Sequence, residues 1–211
     1  MCRFEKVKSR SGIFCLMPKK TCVFFSAHFI FPETALYFLE IKNGSSIEKE
    51  LKMKMREYRA DDLETVMAIA DLAWRPIRQM GRKTLGDAIA DVLNPMGDAK
   101  SKGLQVKAQI ESGKYGIAVC EHENTVVGFI TWQIEGAIGE ICNNGALKTS
   151  GLKGIGQTMY HYVFDVFRSA GVKVVKVTTG LDWAHAPARR AYERAGFKKH
   201  LDSTTYFMEL E

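Results

Sequence analysis

The chain has 211 residues, 46% hydrophobic and 26% charged, the balance of one globular domain with a sizeable core, which excludes disordered and collagen-like classes. Its formal charge of +6 is unevenly placed: residues 1–54 carry 10 lysines and arginines against 5 acids, and the remainder 20 against 19. A nearly neutral body without a basic stripe argues against a nucleic-acid partner.

The first quarter reads differently from the rest. Its run "TCVFFSAHFIF", residues 21–31, follows basic residues and is broken by Pro32 and Glu33, so it is too short and interrupted to span a bilayer. No A-x-A site follows, which weighs against a cleaved signal peptide. Residues 1–52 are expected to be an accessory segment, or sequence upstream of the true start, and to lie outside the fold. Met53 offers that start: Lys49-Glu50, codable only by purines, precedes it by two codons, where a ribosome-binding sequence would lie. Residues 53–211 then form a body of single-domain length. Cys2, Cys15, Cys22, Cys120 and Cys142 are odd in number and lack CxxC spacing, so neither a zinc site nor a disulfide framework follows. Buried free thiols in a reducing, cytoplasmic compartment are the expectation.

In the body, "KMREYRADD" predicts a short strand ending at Asp61-Asp62, a plausible helix cap. Leu63, Val66, Met67, Ala70 and Trp74 recur at helical spacing, and Pro76 is expected to close that helix. "TLGDAIADVL" and "AKSKGLQVKAQIES" predict further helical pieces about the turn cluster "NPMGD". "YGIAVCEHENTVVGFITWQI" holds two apolar runs around Glu123-Asn124, the pattern of an antiparallel hairpin. "AIGEICNNGAL" predicts a third strand, irregular around Asn143-Asn144-Gly145. A helix over 156–170 follows, with Tyr160, Val163, Phe164 and Phe167 on its apolar face. "VKVVKVTT" is a β-branched strand, "APARRAYERAG" a helix with Pro187 in its first turn and Gly196 as its stop, and "TTYFMEL" a final strand. The order β, helices, βββ, α, β, α, β places the chain in the α/β or α+β class, a mixed sheet with helices on both faces.

Gly151, Gly154 and Gly156, in "GLKGIG", lie between a strand and a helix start. Such a turn aims several backbone N–H groups at one point, where the helix dipole adds partial positive charge. It suits a pyrophosphate, although a plain tight turn with a helix cap would use the same residues. A P-loop fails for want of GxxxxGK followed by Ser or Thr. A Rossmann fingerprint fails because the order is GxxGxG with no acid near Lys176.

Paired with "HAPARRAYERAGF" downstream, the glycine segment resembles the GNAT N-acetyltransferase superfamily over roughly residues 55–211. The family's acetyl-CoA loop, Q/R-x-x-G-x-G/A, is matched at Gly154 and Gly156, and Gly151 departs from it. The later motif, Asn-x-x-Ala, then Tyr, then Gly-Phe, is matched at Ala188, Tyr192, Gly196 and Phe197, with His185 in the Asn place.

The resemblance implies acetyl transfer from acetyl-CoA, as cosubstrate, to a primary amine through a direct tetrahedral intermediate, with no metal. Pantetheine would lie between the strands at about 138–147 and 173–179, with main-chain contacts from Ala146 and Leu147. Gly151, Leu152, Lys153, Gly154, Ile155, Gly156 and Gln157 would hold the pyrophosphate, and His185 would contact the cofactor or begin its helix. Tyr192 would protonate the leaving thiolate, or be a core aromatic. Glu140 would act as general base, or be a salt-bridged strand carboxylate. Trp74, Arg75, Trp132 and Glu135 are candidates to grip a small-molecule or peptide amine. The alternative function is a non-catalytic acyl-CoA-binding regulatory module. No nucleic acid or membrane is expected as partner, and a homodimer is left open.

Overall fold

The computed structural model describes residues 53–210, together with the backbone of two short strands near the chain's start. Those strands, β1 (Phe4–Lys8) and β2 (Phe14–Pro18), pair antiparallel with Phe4 opposite Pro18 and Lys8 opposite Phe14. They belong to a unit, Met1–Asn43, separate from Gly44–Glu211. The apolar run over residues 21–31 and the proposed upstream sequence around Lys49-Glu50 lie outside the described residues.

The larger unit is built on a five-stranded sheet in the order of the chain: β3 (Met53–Glu57), β4 (Gly116–His122), β5 (Thr125–Glu135), β6 (Ile138–Ala146) and β7 (Val174–Val177). The first four are antiparallel neighbours, and β7 joins β6 in parallel. Glu123 and Asn124 take φ of 50° and 62° between β4 and β5, the left-handed pair whose twist matches a two-residue hairpin. Alternation along the strands divides two cores. Val119 and Phe129 face α1 (Leu63–Leu85) and α3 (Ser101–Glu111), packing on Val66, Ile69, Ala70 and Val106. Ala118, Cys120 and Ile130 face the other way, onto Ile155, Met159, Tyr160, Val163 and Phe167 of α4 (Ile155–Ser169) and Tyr192 of α5 (Ala186–Ala195).

Three expectations are corrected. Pro76 does not close the first helix, which runs on to Leu85. The proline's missing N–H weakens one turn, but Arg82 clamps the helix end to Asp87, Asp91 and Asp98 at 2.7–2.9 Å. The piece read as "TLGDAIADVL" is divided by Gly86, at φ +84°, so that α2 spans only Asp87–Leu93. "TTYFMEL" forms no strand: residues 197–210 lack regular structure, and Tyr206 is 90% exposed. Its β-branched and aromatic residues favour a strand only where an edge pairs with them.

Candidate active site

The parting of β6 from β7 starts from one extra residue. Opposite β5, Asn143 faces Thr131 and Ile141 faces Trp132, so Cys142 is a bulge. Parallel pairing with β7 ends at Ile141–Val177, immediately before that bulge. A bulge bends its strand and increases the local twist, which carries β6 away from β7. It also exchanges the faces of the strand. Gly139 lies against Phe167, and Ile141 packs in the α4-side core. Beyond Cys142, Asn143 donates instead to Gln109 of α3 and Gly145 abuts Ile69 of α1, while Asn144 turns toward α4.

Asn144 is thereby aimed at two tyrosines. Its Nδ2 donates to the Tyr160 hydroxyl at 2.9 Å, and its Oδ1 accepts from the Tyr192 hydroxyl at 3.0 Å. The two rings lie 5.6 Å apart, and Phe197 meets Tyr192 edge-on at 5.9 Å. Burial pushes Tyr192 up to about 12, against the opposing hydrogen bonds of Asn144 and Tyr160. Burial raises Tyr160 still further. Both are therefore neutral phenols at physiological pH. Asn144 and Tyr160 are the residues that sequence reasoning missed. The signal was present as the irregular "CNNGA" in a strand and a tyrosine on the helix's apolar face.

The glycine segment ends at the head of α4. Gly151 and Gly154 take φ of +69° and +89°, a region that costs an Arg or Gln roughly 1–2 kcal/mol, which explains why glycine suits the departed position. Gly154 is the N-cap and offers no side-chain hydrogen bond; the first helical bond runs from Thr158 N–H to the Gly154 carbonyl. The N–H groups of Ile155, Gly156 and Gln157 precede that bond and have no acceptor within the helix. Leu152 packs against the core and anchors the loop, and Lys153 is exposed. Gly128 in β5 lets the helix approach, since a Cβ there would lie 2.8 Å from Ile155 Cγ2 and 3.0 Å from the Gly145 carbonyl oxygen.

The other expected residues lie on several elements and on both faces of the sheet. Ala146 stands opposite Gly128 at the end of β6. Leu147 is committed internally: its N–H donates to Val127, and its carbonyl accepts from both Ser150 N–H and Ser150 Oγ. The Gln157 side chain donates to the Ala191 carbonyl at 3.0 Å, tying α4 to α5. His185 is the N-cap of α5, with Nδ1 2.6 Å from Asp182 Oδ2. Asp182 Oδ1 accepts the N–H groups of Ala184 and His185, and Arg189 donates to the Gly180 and Asp182 carbonyls. Glu140 bonds Lys176 Nζ at 3.0 Å and Gln133 Nε2 at 2.9 Å. Burial opposes its ionisation, but those two partners outweigh it and lower its pKa. Trp74 lies under Lys102 on the α3 side, whereas Trp132 packs edge-on with Tyr162 of α4, on the opposite face. Arg75 and Glu135 are exposed. Among the described residues, no group of three or more His, Cys, Asp or Glu is placed to hold a metal, and no helix is long and apolar enough to cross a membrane.

The acetyltransferase (GNAT) family model matches residues 87–197, just over half of the chain. Among solved structures, a PaiA N-acetyltransferase from Thermoplasma acidophilum, in complex with coenzyme A, is 18% identical with a TM-score of 0.53, covering 69% of this chain and 89% of its own. An aminoglycoside acetyltransferase from an uncultured soil metagenomic sample, in complex with sisomicin, is 12% identical with a TM-score of 0.51, covering 77% and 99%. A point mutant of the BH1408 protein from Bacillus halodurans is 11% identical with a TM-score of 0.57, covering 74% and 99%. At these identities the likeness is one of fold. No curated protein matches the chain significantly. On the extent of the family match, this chain belongs to the acetyltransferase (GNAT) family.

Proposed function

We propose that the protein transfers the acetyl group of acetyl-CoA to a primary amine by direct attack. The reading rests on the notch that opens at Cys142, which has an uncapped glycine-bordered helix start beside it and the Tyr192–Asn144 pair on its wall. The free N–H groups of Ile155, Gly156 and Gln157 would receive the pyrophosphate, and the unpaired edge of β6 ending at Ala146 would pair with the pantetheine amides. His185 would approach the coenzyme from the start of α5 through Nε2, since Nδ1 is held by Asp182.

For the reaction, the amine must lose a proton before or during attack, the tetrahedral oxyanion needs a donor, and the thiolate must be neutralised as it leaves. Glu140 is ionised at neutral pH, the form required of a base, and its lowered pKa suits a relay through water better than full proton capture. Tyr192 retains its proton at every physiological pH. Its raised pKa makes it a weak acid against a thiol in water, yet the burial that raises the phenol also raises a thiolate leaving into the same site, which narrows the gap.

A second reading has its own support. Tyr192 and Glu140 are both already hydrogen-bonded within the chain, as they would be in a module that binds acyl-CoA without turnover. Thiol release from acetyl-CoA over a broad panel of amines decides between the two. Amine-dependent release supports the enzyme; stabilisation by acetyl-CoA with no release from any amine supports the module.

A further inference from the structure

Lys102 is buried, at 6% exposure, on α3. A lysine that deep is ordinarily matched by a carboxylate. Lys102 has none: its ammonium donates to Gln105 Oε1 at 2.9 Å and stands 4.4 Å from the centroid of the Trp74 ring. Burial, and then the positive charge of Arg78, push its pKa down to about 8. Arg78, on α1, leaves a buried Nε with no hydrogen-bond partner. The nearby acids are otherwise engaged. Asp71 accepts the Gly103 N–H at 2.7 Å, and Asp98 accepts from Arg82 at 2.7 Å. Asp98 retains a second oxygen that is itself buried and unpaired, and with Asp71 it offsets part of the Arg78 charge from beyond bonding distance. Nothing of that kind offsets Lys102.

We propose that Lys102, assisted by Arg78, forms a subsite for a carboxylate on the acceptor, so that the preferred substrate is an amine that also bears a carboxylate. The subsite adjoins the place where β6 leaves β7. Helix α3, which carries Lys102, meets β6 immediately past the bulge residue Cys142, where Gln109 accepts from Asn143 Nδ2. Cys142 in turn lies two residues from Glu140, before the strand exchanges its faces. A carboxylate held by Lys102 would direct the remainder of the molecule toward Glu140 and the opening, across the sheet from Tyr192. Two cations close together in a poorly solvated place repel one another, and an anion between them removes that penalty. Trp74 forms the apolar wall against which the acceptor's carbon chain would lie.

This inference rests on the acetyl-transfer reading for its location, but it is tested without turnover. The full-length protein, saturated with coenzyme A, is titrated calorimetrically with glycine, β-alanine and γ-aminobutyrate, and with the amide of each. At least one acid should bind about 10-fold or more tighter than its amide, and Lys102→Met should weaken that acid by roughly 10–100-fold, the worth of one charge-assisted hydrogen bond. Lys102→Arg should retain most of the affinity. Because removing a buried lysine can perturb folding, Gln105→Glu provides a second arm: it supplies an internal carboxylate to Lys102 and should abolish the preference for acids while the lysine stays. Acids and amides binding alike, no acid binding at all, or tight acid binding that survives both substitutions overturns the proposal. Failure of coenzyme A itself to bind counts against the acetyl-transfer reading instead, and the acid–amide comparison is then read on the coenzyme-free protein.

Discussion

Tyr192 combines two properties that seldom meet in a core aromatic: near-complete burial and a hydroxyl bonded to a strand residue just past the point where β6 and β7 cease to pair. The Asn144 amide serves both tyrosines at once, so neither phenol is left unpaired in a place where an orphaned polar group costs about 1–3 kcal/mol. In the proposed mechanism the Tyr192 hydroxyl would leave Asn144 Oδ1 to protonate a thiolate, with Tyr160 as a neighbouring hydroxyl. Tyr192→Phe keeps the ring, its contact with Phe197 and most of the packing. Turnover with a good acceptor should fall by about 10²–10⁴, with acetyl-CoA affinity little changed, because the bond acts chiefly in the transition state. Steady-state rates and a coenzyme titration measure the two separately. Wild-type turnover in the Phe variant would return Tyr192 to a packing role.

At the scale of elements, two junctions are held by different physics, one at the site and one at the opposite edge of the sheet. The first is the loop that enters α4. A Cβ at Gly154 would have only Met53 Cε, at 3.9 Å, within reach, so a larger residue there is limited by its positive φ and by what it covers rather than by a clash. Gly154→Val should weaken acetyl-CoA binding at least 10-fold while the melting temperature of the free protein falls only modestly; matched losses in both would make the glycine structural alone. The second junction is Arg56 in β3, which bonds both Asp62 oxygens at 2.7 and 2.8 Å and Glu121 of β4 at 2.6 Å. Its guanidinium is the leading cause that lowers the Asp62 pKa. For Glu121, Lys54 comes first and Arg56 second. Arg56→Met leaves buried Asp62 without its cation and Glu121 with Lys54 alone, and should cost about 3 kcal/mol near neutral pH. Carboxylates with depressed folded pKa values contribute stability above their unfolded pKa and lose it as pH falls through the folded one. The gap between wild type and variant, measured by chemical denaturation, should therefore shrink as the pH is lowered below about 4.

Across the whole molecule, the larger unit begins at Gly44, and its first strand, β3, starts at Met53. Met53 and Met55 pack against the α4-side core, so a chain begun at Met53 keeps every sheet residue of that unit. We expect residues 53–211 to fold and bind acetyl-CoA as the full chain does, with residues 1–52 dispensable. Circular dichroism and coenzyme titration of the truncated protein check this; aggregation or lost affinity would show that the first segment supports the core.

Local chemistry along the chain was enough for much of this protein. Glu123-Asn124 predicts its turn because only a left-handed pair closes so tight a hairpin. Pro187 and Gly196 mark α5 because helix ends demand them, and the spacing of "GLKGIG" with "HAPARRAYERAGF" indicates the family. Properties that depend on partners distant in sequence lay beyond that reading. Helix α1 runs on past Pro76 to Leu85, near an end where Arg82 meets three carboxylates from beyond the helix, and "TTYFMEL" forms no strand because propensity without a paired edge does not suffice. Asn144 joins Tyr160 and Tyr192 only because a single bulge at Cys142 reverses the pleat, which period-two patterning cannot register when one residue drops out of step. Lys102 likewise reads as an ordinary surface lysine in a helix. Its lack of a carboxylate becomes visible only when α1 and α3 close around it.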